Sequence, residues 1–164
     1  TYLAAAEAGS GEGDFSALIC FEDILPDLAR NFVKRGARFL VNITNDAWFG
    51  RTSQPYQQAA HAVFRCVENC VGMVRATNTG LSCFIDPFGR VYRVLRDPSG
   101  EELFVEGTAV EEVPLTETST FYTRRGNVFA AVCAALSAAL LLGRRARRGR
   151  GGNGFPRDDT ARVL

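Results

Sequence analysis

Apolar and polar residues alternate along the chain in blocks that read as strands and helices in turn. Phe15 to Phe21 (FSALICF) is a short apolar run of buried-strand length. Glu22 and Asp23 then open a segment with Ile24, Leu25, Leu28, Phe32 and Val33 on a three-to-four-residue period. Acidic residues and Pro26 near its start predict a helix N-terminus, and Lys34-Arg35-Gly36 predicts its stop. Arg38 to Thr44 reads as a second strand, and Asn45 to Gly50 (NDAWFG) as a loop with an aromatic tip. Residues 55–70 carry Ala59, Ala62, Val63, Cys66 and Val67 on one stripe and predict a second helix. Val71 to Ala76 is a third strand, followed by a tight turn at Thr77 to Gly80. Leu81 to Ile85 and Val91 to Leu95 predict paired strands around the turn Asp86-Pro87-Phe88-Gly89. A last strand is expected near Leu103–Val105 or Ala109–Val113. The order β-α-β-α-β-β-β predicts an α/β fold with a mostly parallel or mixed sheet and helices on at least one face. No internal repeat is present.

Val128 to Leu142 breaks this rhythm: it has no charge, and Ser137 is its only hydroxyl. A helix of that length spans about 22 Å, against a hydrocarbon core of about 30 Å. A buried core helix therefore competes with a membrane span. Three features favour the membrane. The run is apolar all round. Arg144, Arg145, Arg147, Arg148 and Arg150 follow it, with stems long enough to snorkel. Small residues recur every fourth place, at Ala130, Ala134 and Ala138 and again at Ala131, Ala135 and Ala139. The basic residues beyond the run place the C-terminus in the cytoplasm and residues 1–125 outside. The remainder, Gly151 to Leu164, reads as disordered.

Charge sharpens this division. The whole chain has 19 Lys+Arg and 18 Asp+Glu. Residues 1–143 carry 12 basic and 16 acidic side chains; residues 144–164 carry 7 and 2. An acidic globular part and a basic tail cancel in the total. No nucleic-acid partner is implied, although the arginine run leaves that reading open. Five Cys in 164 residues are too sparse for a disulfide scaffold. The chain begins with Thr1 and has no signal-type leader, so it is expected to start inside a larger protein.

Cys20 falls where a strand ends and a helix is about to begin. A thiol there meets the positive end of a helix dipole, and nearby N–H groups suit an oxyanion. The competing reading is a small buried hydrophobe. Cys66 and Cys70 could share a helix face, but His61 is the only histidine, so they read as core rather than as metal ligands. Cys83 and Cys133 read as structural.

Ile19-Cys20-Phe21-Glu22, then Asn42 to Gly50 (NITNDAWFG), then Arg75 to Gly80 (RATNTG) resemble the C-terminal part of the apolipoprotein N-acyltransferases. Those are bacterial membrane enzymes that complete lipoprotein acylation, with an extracytoplasmic nitrilase-fold domain. Arg65, Glu68-Asn69 and Asp86 to Gly89 resemble nitrilase-superfamily (carbon-nitrogen hydrolase) domains generally, and Phe121 to Asn127 resembles the lead-in to the last membrane helix. The resemblance implies a partial nitrilase-like α-β-β-α sandwich, the C-terminal half, followed by one transmembrane helix. Residues 1–120 would be the hydrolase-like part, 121–143 the lead-in and membrane helix, and 144–164 a basic cytoplasmic tail. It implies Cys20 as nucleophile, Glu22 as a supporting residue, and Phe21, Trp48 and Phe49 near the acyl and lipoprotein substrates. A phospholipid would donate the acyl chain through a Cys20 thioester, and a diacylglyceryl-cysteine lipoprotein would accept it at its N-terminal amine. The implied setting is the bacterial inner membrane, with no metal or cofactor.

The family's base Glu and its Lys lie upstream of the nucleophile. Only 19 residues precede Cys20 here; Glu7 and Glu12 are poor substitutes, and the one lysine, Lys34, lies downstream. Two alternatives remain: a membrane-anchored nitrilase-type amidase, and a catalytically dead membrane-tethered binding module. The 164-residue chain by itself is expected to be inactive. Mixed with phospholipid and a labelled diacyl lipopeptide it should give no N-acylation, and measurable turnover would overturn that expectation.

Overall fold

The computed structural model describes residues 14–150, with side chains to residue 143. The readings of residues 1–13 and 151–164, of Glu7 and Glu12, and of the tail arginine side chains fall outside the described residues. Two compact units divide at Gly126 and Asn127.

The first unit is one mixed sheet with helices on one face. Its elements are β1 (Phe15–Ile19), a 3-10 turn (Cys20–Ile24), α1 (Pro26–Lys34), β2 (Phe39–Thr44), a short 3-10 turn (Ala47–Phe49), α2 (Gln54–Asn69), β3 (Gly72–Thr77), β4 (Cys83–Ile85), β5 (Val91–Val94) and α3 (Phe121–Arg125). The strands lie in chain order. β1, β2 and β3 are parallel, joined by the two helices as crossovers. β4 and β5 add an antiparallel hairpin. Its turn forms as its composition predicts: Asp86 Oδ1 accepts from the N–H groups of Phe88 and Arg90, both at 2.8 Å, and Gly89 takes φ +83°.

Strand periodicity sorts the core into two faces. Leu18, Leu40, Met73, Cys83 and Ile85 turn toward Ala29 of α1 and Ala59, Ala62 and Cys66 of α2. Small residues on the helices let them sit close to the sheet. Phe39, Val74 and Phe84 turn the other way, against Val113, Ala109 and Leu115. That second face is open at the β1 edge, where Phe15 is 59% and Ile19 54% exposed.

The last predicted strand does not form. Neither 103–105 nor 109–113 pairs with the sheet. Leu103 is buried in the helix-side core, and Phe104 adopts φ +60° with its N–H on the Thr79 carbonyl. The later segment spends its alternate apolar residues on the face of the sheet instead of lengthening its edge. Gly72 makes room for it, since a Cβ there would lie 2.7 Å from Val113 Cγ1.

α1 also starts later than the pattern suggests, at Pro26 instead of Glu22, because proline suits the first helical turn. α3 docks on both crossover helices. The Arg30 guanidinium of α1 donates to the carbonyls of Tyr122, Thr123 and Arg124 at 3.0–3.3 Å. Thr123 Oγ1 donates to Asn69 Oδ1 at the end of α2 at 3.0 Å.

In the second unit, α4 (Val128–Arg150) forms over the apolar run and the arginines after it. Among the described residues, no helix is long and apolar enough to cross a membrane. Cys133 is exposed on α4.

Gly72→Ala should cost about 1–3 kcal/mol in denaturant unfolding through overpacking. Combined with Val113→Ala it should cost less than the two single losses together, because the truncation removes the clash.

Candidate active site

The chain turns sharply at the C-terminal end of β1. Cys20 has φ +53°, a left-handed conformation that a non-glycine residue holds at a cost on the order of 1–3 kcal/mol. Its thiol is half-buried. The element after it is a single 3-10 turn, and α1 begins only at Pro26. The helix that follows therefore does not begin at the thiol, so α1 does not supply the dipole that the sequence suggests.

Side chains hold this elbow from several directions. The Glu22 carboxylate accepts from the Ile19 N–H at 2.7 Å, closing the turn behind the cysteine. Asn42 Nδ2 donates to the carbonyls of Leu18 (3.2 Å) and Cys20 (3.1 Å). Gln58 Nε2, from α2, donates to the Cys20 carbonyl at 3.3 Å. Arg65 Nη1 reaches the carbonyls of Asp23 and Ile24, while the rest of its fork grips Glu68 at 2.7 and 2.8 Å.

Beneath the elbow lies a buried charge network. Arg75, on β3, is 1% exposed. Its Nη1 donates to Asp23 Oδ2 at 2.5 Å and to Asn42 Oδ1 at 2.6 Å, and its Nη2 to Asp46 Oδ2 at 3.2 Å. Asp46 also accepts from the Thr44 hydroxyl at 2.9 Å. A Cβ on Gly80 would lie 2.0 Å from Asp46 Oδ2, so glycine is required where the RATNTG loop closes over the carboxylate. Burial raises the Asp23 carboxyl above its ordinary range, and Arg75 and Gln58 pull it back only in part.

Sequence reasoning named none of Asp23, Asn42, Asp46, Gln58 and Arg75 as site residues. A signal was available. Asn42 and Arg75 have the same strand parity as Leu40 and Met73, so both must point into the helix-side core, and a core arginine needs acidic partners. The register sets Leu18, Asn42 and Arg75 side by side across three strands.

The aromatic residues divide. Phe21 and Phe49 meet edge to face, with centroids 5.8 Å apart at 86°. Trp48, next to Phe49 in the chain, stands 85% exposed. The loop that presents them is set by Asn45 Oδ1 accepting from the Ala47 N–H and by Gly50 at φ +57°. Cys66 and Cys83 are buried; burial pushes the Cys66 thiol up, and the Cys83 thiol up to about 11, so neither is a thiolate at neutral pH. Among the described residues no three His, Cys, Asp or Glu side chains converge as a metal site.

Arg75→Met should destabilise the chain by about 3–5 kcal/mol at neutral pH, because it strands two buried carboxylates, Asp23 and Asp46. Asp23, already raised by burial, would then lose the charge that lowers it and bind its folded-state proton more tightly still. The folded form of the variant should accordingly gain relative to wild type as pH falls toward 4, about the unfolded carboxylate's pKa, and lose as pH rises. Unfolding midpoints of both proteins across that range check the sign.

The carbon-nitrogen hydrolase family profile matches residues 4–123. The chain is 47% identical over 143 residues to the apolipoprotein N-acyltransferase of Geobacter metallireducens, covering 85% of this chain and 26% of that protein. With the apolipoprotein N-acyltransferase of Rhodopseudomonas palustris it shares 41% over 126 residues, or 76% of this chain and 22% of that one. It therefore spans about a quarter of the length of the curated relatives it matches. Among solved structures, Saccharomyces cerevisiae Nit3, of the nitrilase superfamily, aligns at TM-score 0.43 and 22% identity, over 49% of this chain and 32% of that one. An amidase from Nesterenkonia sp. aligns at TM-score 0.42 and 23% identity, over 57% and 39%. With its profile matched from residue 4 to residue 123, the chain belongs to the carbon-nitrogen hydrolase family.

Proposed function

We propose that this chain is the nucleophile-bearing, C-terminal part of a phospholipid-dependent N-acyltransferase acting on lipoproteins. The observation that carries the proposal is the left-handed Cys20 elbow, with an aromatic pair at its side and an exposed tryptophan on the neighbouring loop. The relatives' names point to the same reaction.

In this reading the Cys20 thiolate attacks the carbonyl carbon of a phospholipid ester. The ester C–O bond breaks, a lysophospholipid leaves with a proton, and a thioester remains on Sγ. The amine of a diacylglyceryl-cysteine lipoprotein then attacks that carbonyl. The C–S bond breaks, an amide forms, and the amine's proton passes to a base. Base and lysine would come from the other part of the full-length protein. Glu22 supports the elbow through Ile19 N–H and is not the base. Phe21, Phe49 and Trp48 offer apolar surface for acyl chains, and an exposed tryptophan is at ease beside a bilayer.

The open sheet face at Phe15 and Ile19 fits the place of a second sheet, which would complete an α-β-β-α sandwich. The apolar part of α4 is proposed as a membrane segment in the bacterial inner membrane, extended by its snorkelling arginines. The catalytic unit would then be extracytoplasmic and the C-terminus cytoplasmic.

The test uses the full-length protein in membranes with a phospholipid labelled in its acyl chain. Wild type should take up label at Cys20 that hydroxylamine releases, and should pass it to a diacyl lipopeptide in preference to water. Cys20→Ala should lose both, with transfer falling at least about a thousandfold. Undiminished transfer in Cys20→Ala would overturn the reading, and release to water alone would favour an amidase.

A further inference from the structure

The Cys20 carbonyl oxygen is the meeting point of two side-chain amides from different elements, Asn42 on β2 at 3.1 Å and Gln58 on α2 at 3.3 Å. An amide presents a donor at one end and an acceptor at the other, so which end faces Cys20 depends on what holds the far end. Asn42 Oδ1 receives Arg75 Nη1 at 2.6 Å, and a guanidinium can only donate. The Asn42 NH2 group is thereby turned toward β1. Gln58 Nε2 is shared between the Cys20 carbonyl and Asp23 Oδ1 at 3.4 Å, both acceptors, while Gln58 Oε1 at the far end receives Gln54 Nε2 at 3.4 Å. The Gln58 NH2 group is thereby turned the same way. Arg75 and Asp23 are themselves paired at 2.5 Å with both side chains fully buried.

We propose that Arg75 and Asp23 act as a positioning pair, aligning the Asn42 and Gln58 amides so that both donate to the Cys20 carbonyl and hold its strained elbow in the left-handed form that presents Sγ. None of the four touches the reacting atoms; they act through the backbone of Cys20. A carbonyl held from two directions fixes the peptide plane after Cys20, which sets its ψ and limits its return to the relaxed side of the backbone map. Misplacing a nucleophile by about 1 Å costs on the order of a hundredfold, so a modest release of this clamp is measurable. The inference rests on the reading of Cys20 as the nucleophile, and its test is arranged to separate the two.

Two variants keep Arg75 and Asp23 in place. Gln58→Met removes one donor at similar volume. Asn42→Asp keeps the acceptor for Arg75 and deletes the donor to Cys20. In the full-length protein, alkylation of Cys20 by iodoacetamide is followed by peptide mass spectrometry across pH, with half-buried Cys70 as an internal control. Each variant should slow Cys20 alkylation about tenfold, leave Cys70 unchanged, and lower kcat for acyl transfer about tenfold at unchanged KM. Unchanged Cys20 alkylation and kcat would overturn the proposal. So would equal changes at Cys20 and Cys70, which would mean a general loosening. If Cys20→Ala kept full transfer while the variants still slowed Cys20 alkylation selectively, the nucleophile reading would fall and the positioning pair would stand.

Discussion

One cation in the core organises this fold. Arg75 sits with no solvent contact among the side chains of three strands and the turn after the first. Burying a guanidinium is expensive unless its donors are met, and here three different segments meet its two terminal nitrogens, leaving Nε without a side-chain or backbone partner. Asp23 comes from the turn after β1, Asn42 from β2 and Asp46 from the loop after β2. The need to satisfy one charge thus brings together the segments that a site at the C-terminal ends of parallel strands requires. The hydrophobic layers around it supply affinity between sheet and helices, but they do not say which loop goes where.

The elements themselves were largely legible. Periodicity located both crossover helices and all five strands to within a few residues, since their buried faces repeat at the period of the secondary structure. The segment 109–113 shows where that logic stops. Alternation announces that every second residue will be buried, not whether the backbone will pair with a neighbour while burying them. Val113 reaches its place by crossing the sheet's face over Gly72, a contact between residues 41 positions apart that no local pattern encodes.

The site was legible in a different way. Cys20, Phe21, Glu22, Trp48 and Phe49 are marked by chemistry and by resemblance, which single out reactive, acidic and aromatic side chains at a turn or a loop. The residues behind them carry no such mark. Gln58 lies on the first half of an ordinary amphipathic helix, and its partner at the Cys20 carbonyl is 16 residues away on a strand. Asn42 and Arg75 break the apolar parity of their strands, and that break is the only local trace the network leaves. Even so, the partners are set by strand register, which depends on the whole sheet.

Arg30 fastens the end of the fold's first unit. Its guanidinium grips three successive carbonyls just before Gly126, where the first unit ends. α1 starts at Pro26, next to the turn that carries Cys20, and the same segment reaches the end of α2 through Thr123 and Asn69. The end of the first unit is thereby pinned to both helices that flank the elbow, so loosening α3 would remove contacts from the two of them at once.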